Sequence, residues 1–297
     1  MSINEPTPAL GPCTIATLAS PDAAALVDQY CSYLQCRVLA SEPLTPGVAE
    51  QWDCPDLADA PCWLLGNALG HPWLRIIEDA GAEPAAPLSR AGWMSLEILV
   101  EDPDALAADL TSSPFKVLRP AANLELSDKI RAVQVQGPAG ELLYLTRISG
   151  AVPPFQLPQA RCAVDHLFIP VLASRDRSAS LASYESLAQH DGLSFDTRVT
   201  VINQLRGLPL AQQHPLATLQ LADSTLIEID QLPDLATPPR QADSLGGGIA
   251  MITFLIDRLP PDVVTFRHRE APYDGRRSCT VYGHDGERIE LIERTAH

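Results

Sequence analysis

Two glutamates lie in segments that alternate apolar and polar residues. Glu228 lies in LIEID (226–230) and Glu290 in RIELIE (288–293), each between two branched apolar residues. In a β-strand, a carboxylate at such a position faces away from its apolar neighbours. Each glutamate therefore faces either water on a half-buried sheet or a cavity in which a carboxylate has a chemical role. The sequence leaves both interpretations open.

Three further residues have side chains that suit ligand binding. His166 lies near the start of the apolar segment VDHLFIPV (164–171). A lone histidine at such a place is more often a core or turn residue than a ligand. Arg75 and Arg147 lie in strand-like segments of the N-terminal half. A pair of arginines is suited to holding a substrate carboxylate through bidentate hydrogen bonds, although an exposed or ion-paired arginine is the commoner case.

Several classes of site are excluded. The sequence contains no GxSxG motif, no phosphate-binding loop and no evident Cys–His pairing, so it gives no sign of a covalent hydrolase or a nucleotide triphosphatase. The glycine run at 246–248 is followed by a strand-like segment, which indicates a turn and not a dinucleotide site. The seven cysteines include no CxxC pair and are expected to be free thiols.

Composition limits the partners. The net charge of −16 and the pI of about 4.7 disfavour nucleic acid and anionic membranes. No apolar run long enough to span a membrane and no secretion signal is evident, so we expect a cytoplasmic protein whose partner is a small-molecule substrate or ligand. The oligomeric state is left as monomer or homodimer.

The elements that must position these side chains repeat along the chain. Four modules, near residues 12–80, 92–148, 162–232 and 248–295, each open on a strand and close on a strand. The first helix signal is Ser20-Pro21-Asp22, an N-cap followed by proline at the first helical position. Further signals follow Asp102-Pro103 and start near Ser174, and a weaker one covers 261–268. RVTVINQ (198–204) is predicted as a strand. The order of elements favours an α+β fold.

A proline-containing segment at 149–161 resembles a linker and divides the chain into two similar halves. We therefore predict an N-terminal domain at 1–156, made of the first two modules, and a C-terminal domain at 157–297, made of the last two.

The modules resemble the vicinal oxygen chelate superfamily, which includes glyoxalase I, bleomycin-resistance proteins and extradiol dioxygenases. The resemblance is carried by VDHLFIPV (164–171) and DGERIELIE (285–293), and is supported by SLEILVEDPDALAADL (95–110) and GPAGELLYLTRI (137–148). It implies four βαβββ modules paired into two eight-stranded, cup-shaped mixed sheets.

The resemblance also implies a divalent metal inside a cup, held by residues of the first and last strand of each module. The positions carried over to the C-terminal half are His166, Glu228, Met251 and Glu290. Those carried over to the N-terminal half are Ala16, Arg75, Ser95 and Tyr144. We therefore expect one site for Zn, Ni, Co, Mn or Fe, held by His166, Glu228 and Glu290, and none in the N-terminal half. Met251 departs from this pattern, because a thioether is a poor ligand for these ions.

Three functions remain open. The first is a metal-dependent isomerase or lyase acting on a small carbonyl-containing or aromatic metabolite, with Glu290 or Glu228 as the general base. The second is a metal-free protein that binds and sequesters a small molecule, and the third, disfavoured by Met251, is a divergent extradiol dioxygenase. Candidate pocket residues are Met251, Tyr144 and Arg75, and candidates for an apolar lining also include Trp63, Trp73 and Trp93.

Overall fold

A computed structural model of the chain describes residues 8–84, 86–125, 127–237 and 243–295. It contains four consecutive modules. The first consists of β1 (Leu10–Ser20), α1 (Ala23–Tyr33), β2 (Arg37–Ser41), α2 (Pro46–Gln51), β3 (Cys62–Gly66) and β4 (Pro72–Glu78). The second consists of β5 (Gly92–Val100), α3 (Pro103–Leu110), β6 (Lys116–Leu124), β7 (Ser127–Gln136) and β8 (Leu142–Ile148).

The third module consists of β9 (Val164–Ser174), α4 (Arg177–Ala188), β10 (Leu193–Thr197), α5 (Thr200–Leu205), β11 (His214–Gln220) and β12 (Leu226–Gln231). The fourth consists of β13 (Gly248–Ile256), β14 (Phe266–Arg267), β15 (Arg277–Tyr282) and β16 (Arg288–Glu293). In every module the first and last strands pair in parallel.

The three long helices begin in the same way. Asp22, Asp102 and Asp176 each accept a hydrogen bond from the backbone N–H three residues further on, which caps α1, α3 and α4. Such a cap stabilises a helix by about 1 kcal/mol. The helix predicted after Asp102 is confirmed. The helix predicted from Pro21, with Ser20 as its cap, begins at Ala23 with Asp22 as its cap, and the helix predicted near Ser174 begins at Arg177.

Two predicted elements are wrong. Thr200 to Gln204 of RVTVINQ lie in the helix α5 in place of a strand, and Val201, Ile202 and Asn203 of this helix are buried. The weak helix at 261–268 does not form. That segment contains turns and the short strand β14, consistent with the prolines at its start.

The modules form two eight-stranded sheets, as predicted, but they pair differently along the chain. The first sheet has the order β14-β15-β16-β13-β1-β4-β3-β2 and so joins the first module to the fourth. The second has the order β10-β11-β12-β9-β5-β8-β7-β6 and joins the second module to the third. The predicted division into 1–156 and 157–297 therefore does not match the sheets, since each contains strands from both halves.

The reason lies in the pairing of the first strands. The segment at 149–161 lets β9 return beside β5, with which it pairs antiparallel. The first and fourth modules then pair through β1 and β13, also antiparallel. Module pairing is thus set by contacts between segments far apart in sequence, which local periodicity does not report.

The two sheets pack through an apolar core that also receives residues of α1, α3 and α4. Two matching hydrogen bonds cross this core. Tyr30 of α1 donates to Glu141 at 2.5 Å, and Tyr184 of α4 donates to Glu287 at 2.8 Å. In the described ranges, none of the helices is long and apolar enough to cross a membrane.

Candidate functional site

The concave face of each sheet is centred on its paired first and last strands. We call these faces the first cup, in the β1–β13 sheet, and the second cup, in the β5–β9 sheet. In the first cup, the strand pairing sets Thr17 opposite Arg75 and Thr253 opposite Glu290. In the second cup, the same pairing sets Glu97 opposite Tyr144 and Val171 opposite Glu228.

Glu290 lies at the centre of the first cup and is fully buried. Its carboxylate accepts hydrogen bonds from Trp52 Nε1 (2.7 Å), Tyr273 Oη (2.6 Å) and Thr253 Oγ1 (2.7 Å). Burial by itself raises the pKa of Glu290, but the charge of Arg75 and these hydrogen bonds outweigh it and hold the pKa below its ordinary value. Glu290 is therefore ionised and fully hydrogen-bonded.

Arg75 is the cation that balances Glu290. Its guanidinium donates to Glu290 at 2.6 Å and to Thr253 Oγ1 at 3.1 Å, and lies 4.6 Å from the centroid of the Trp52 ring. Only 3% of the Arg75 side chain is exposed. The residues around it, including Met251, Trp52 and Tyr273, form an apolar cluster that fills the first cup. This cup is therefore a closed polar centre within the core.

The second cup is open and contains a cavity of about 370 Å³. A volume of this order is typical of small-molecule sites. Phe155, Phe168 and Phe195 form part of its wall, and Glu97 and Glu228 contribute two carboxyl groups. The cavity therefore combines an apolar wall with a few polar groups, as ligand sites usually do.

The two carboxyl groups have perturbed pKa values. Burial and the charge of Glu228 raise the pKa of Glu97 from 4.5 to about 8, and burial raises the pKa of Glu228 to about 7. The pKa of Asp230, on the same face of β12, is raised well above its ordinary value by burial and by the two glutamates. The pKa values of Glu97 and Glu228 therefore lie near neutral pH, where the two carboxyl groups titrate as a pair.

Several acceptors around the second cup lack a donor. Within the described part of the chain, Thr146 donates to Glu97 at 3.2 Å, and no donor contacts Glu228. Gln134 Oε1 and Thr218 Oγ1, both in residues that line the cavity, have no hydrogen-bond partner there. Neither does the fully buried carboxyl of Asp230. Buried polar groups are almost always hydrogen-bonded, so this set of free acceptors is unusual.

The structure does not bring the three predicted metal ligands together. Glu290 lies in the first cup and Glu228 in the second. His166 lies in neither, since its Nδ1 is 2.9 Å from Asp165 and its ring is 5.4 Å from that of His71. Throughout the described residues, no three His, Cys, Asp or Glu side chains are arranged so that they would hold a metal ion.

A divalent metal requires several free donor groups that converge on one point. In the first cup, the guanidinium of Arg75 lies on the carboxylate that would be a ligand. In the second, the residues opposite Glu228 and Glu97 are Val171 and Tyr144. Val171 has no atom that could bind a metal. Burial and the nearby carboxylates raise the pKa of Tyr144 well above its ordinary value. A phenol that keeps its proton is a poor ligand. Neither set fits a divalent metal.

The other predicted residues are also divided between the cups. Tyr144 lines the second cavity, whereas Arg75 and Met251 are buried in the first cup. Trp63, Trp73 and Trp93 lie in or against the core between the sheets and not in this cavity. Arg147 is exposed on β8.

Sequence reasoning missed Glu97, the partner of Glu228. We predicted Ser95 at this place in the module, two residues too early. A signal was present, since Glu97 is the one charged residue inside the otherwise apolar strand SLEILV (95–100). A charged residue in such a strand faces either solvent or a cavity. The position of Glu97 therefore indicated a candidate site residue by the same pattern as that of Glu290.

Comparison with solved structures supports the fold. Glyoxalase I from Zea mays aligns with a TM-score of 0.59 at 13% identity, over 95% of this chain and 92% of that one. A proposed dioxygenase from Bacillus subtilis aligns with a TM-score of 0.63 at 13% identity, over 98% of this chain and 87% of that one. No protein-family model matches the sequence, and no curated protein matches it either.

Proposed function

We propose that the chain binds a small molecule in the second cup without a metal ion. Its structural likeness to glyoxalase I and to the proposed dioxygenase supports the vicinal oxygen chelate fold that the modules predicted. The observation that carries this proposal is the open cavity of about 370 Å³ with the carboxyl groups of Glu97, which is buried, and Glu228, which is half-buried, in its wall. The first cup is its closed counterpart, in which protein side chains take the place of a ligand.

This proposal follows the second of the functions predicted from sequence. The metal-dependent isomerase or lyase needs His166, Glu228 and Glu290 around one ion, and these residues lie in three different places. The extradiol dioxygenase needs a metal site as well. A metal-free binding cup requires only the cavity and its polar groups.

A thermal-shift survey of aromatic and drug-like molecules in the presence of EDTA tests the proposal. We expect some compounds to raise the midpoint, with the same shifts when divalent metal is added in place of EDTA. Ala132→Phe is the informative variant, because Ala132 lines the cavity and is 6% exposed, so that the larger ring fills the binding space. Ala108→Phe, on the exposed face of α3, is its matched control. Shifts that vanish in EDTA, or that Ala132→Phe leaves unchanged, would contradict the proposal.

A second candidate function is proton transfer without a metal. It is favoured by the pKa values of Glu97 and Glu228, about 8 and 7, which lie near neutral pH, where a general acid or base is most effective. One carboxylate would remove a proton from a carbon beside a carbonyl group. The electron pair of the broken C–H bond would form a C=C bond, the π pair of the carbonyl would move to its oxygen, and the other carboxylic acid would protonate that oxygen to give an enol.

Hydrogen exchange tests this second candidate. A ligand found in the survey should exchange its acidic carbon-bound hydrogen for deuterium in D₂O with the wild type, and not with the Glu97→Gln, Glu228→Gln double variant. Equal exchange by both proteins would exclude the carboxyl pair as the base.

A further inference from the structure

We infer that the ligand of the second cup carries a protonated amine with at least one N–H group, attached to an apolar and preferably aromatic body. This inference rests on the proposed binding function and adds the chemical class of the ligand. It is carried by an internal comparison: in the first cup a cation, Arg75, is bonded to the buried glutamate, whereas in the second no cation of the described residues contacts Glu97 or Glu228.

The register of the strands makes this comparison direct. Each last-strand residue stands opposite a first-strand residue: Arg75 opposite Thr17 and Glu290 opposite Thr253 in the first cup, and Tyr144 opposite Glu97 and Glu228 opposite Val171 in the second. The two last-strand positions thus hold a guanidinium and a carboxylate in the first cup, and a phenol and a carboxyl group in the second. Glu97 adds a second acid at a first-strand position, where the first cup has only threonines.

The hydrogen bonds differ in the same direction. Glu290 receives donors from Arg75, Trp52, Tyr273 and Thr253, whereas Glu228 receives none from the part of the chain that the structure describes. Gln134 Oε1 and Thr218 Oγ1, buried atoms of two residues that line the cavity, also have no hydrogen-bond partner. A ligand that supplies both positive charge and N–H groups would satisfy the carboxyl groups of the cavity, as Arg75 satisfies Glu290.

The wall of the cavity suits the remainder of such a ligand. Phe155 and Phe195, which are partly exposed, and the buried Phe168 give the cavity an aromatic wall that suits an aromatic body. Aromatic rings also attract a nearby cation. The net charge of −16 also attracts cations to the molecule. A quaternary ammonium would use the rings but leave the free acceptors unsatisfied, so the structure favours an ammonium that retains N–H.

Two arginines also line the cavity and define the rival hypothesis. Arg198 forms an ion pair with Glu125. The charge of Arg119 partly opposes the rise in the pKa of Tyr144 that burial and the carboxylates cause. If these arginines dominated recognition, the ligand would be an anion. Neither of them contacts Glu97 or Glu228. Burial is the main cause of the raised pKa of both carboxyl groups, and the charge of Glu228 raises the pKa of Glu97 further. The carboxyl groups are thus not neutralised from within the protein.

Isothermal titration with matched probes tests the inference. Naphthylethylamine, naphthylethanol and naphthylacetate share one aromatic body and differ in charge, and the trimethylated amine removes the N–H groups. At pH 8 with EDTA we expect the amine to bind about tenfold more tightly than the alcohol, which corresponds to about 1.4 kcal/mol, and more tightly than the trimethylated form. Between pH 6 and pH 8 its affinity should rise, because the carboxyl groups ionise in this range.

The Glu97→Gln and Glu228→Gln variants should each reduce the preference for the amine over the alcohol, and Asp109→Asn, which removes an exposed acid, should not. The pH dependence of the wild type gives the same information if a variant fails to fold. Equal binding of amine and alcohol, tighter binding of naphthylacetate, or binding of no probe would overturn the inference. The proposed function would still be judged separately, by the survey in EDTA.

Discussion

Replacing Arg75 by methionine tests the claim that the first cup is a closed structural centre. Arg75 is 3% exposed and Glu290 is fully buried, so the variant leaves a buried carboxylate without its cation. Removing one partner of a buried ion pair typically costs about 3 to 5 kcal/mol of folding stability. Because Trp52, Tyr273 and Thr253 still donate to Glu290, we expect a loss near the lower end of this range at pH 7.

Urea unfolding followed by tryptophan fluorescence is a suitable assay, since Trp52 is in contact with both charged groups. A double-mutant cycle with Glu290→Gln separates the pair from its surroundings. Each single variant should lose several kcal/mol, and the double variant should lose clearly less than the two together, because neither charge then stays unpaired.

The pH dependence gives a further check. In the wild type, Arg75 helps to hold the pKa of Glu290 below its ordinary value, so the stability that the pair contributes is present above about pH 4.5 and is lost as pH falls through the folded-state value. In Arg75→Met the pKa of Glu290 rises, and protonation relieves the unpaired charge. The difference between wild type and variant should therefore narrow as pH falls towards 4. A loss below about 1 kcal/mol at pH 7, or full additivity in the cycle, would refute the closed centre, since values that small are typical of exposed pairs.

Three further predictions concern the second cup and the contacts between modules. Glu97→Gln and Glu228→Gln should be at least as stable as wild type at pH 8 in thermal melts. Burial raises the folded-state pKa values of these glutamates above 4.5, so wild-type stability falls as pH rises from about 4.5 to 8. A steeper decline of stability with pH in the variants would contradict the raised pKa values. Tyr30→Phe and Tyr184→Phe should each cost about 1 to 3 kcal/mol in urea unfolding, because a buried carboxyl loses a donor; no loss from either would show that these bonds do not couple the modules. A fragment of residues 157–297 should fail to give a cooperative unfolding transition, because it contains only half of each sheet, and a folded, stable fragment would contradict the described pairing.

The repeat of four modules was visible in the sequence because it depends on local alternation. Period-two patterning fixes which face of a strand a side chain occupies, so the last-strand positions Arg75, Tyr144, Glu228 and Glu290 were all identified, and all four lie within the cups. Local patterning does not fix which residue of a first strand lies opposite them. We therefore predicted Ser95 where Glu97 faces Tyr144, and His166 where Val171 faces Glu228.

The pairing of modules was the larger error, and it determined the predicted site. Joining the third and fourth modules would have placed Glu228 and Glu290 in one cup. The antiparallel pairing of β5 with β9, and of β1 with β13, places them in different sheets. Such long-range pairing depends on the summed contacts of whole strands, and no single residue of the chain reports it.

A crystal structure of the protein with naphthylethylamine, grown in the presence of EDTA, tests the central claim most directly. We predict density for the aromatic body among Phe155, Phe168 and Phe195, with its ammonium group within hydrogen-bond distance of Glu97 or Glu228, and an unchanged Arg75–Glu290 pair in the first cup. Ligand density in the first cup, or an amine directed away from both glutamates, would contradict the account.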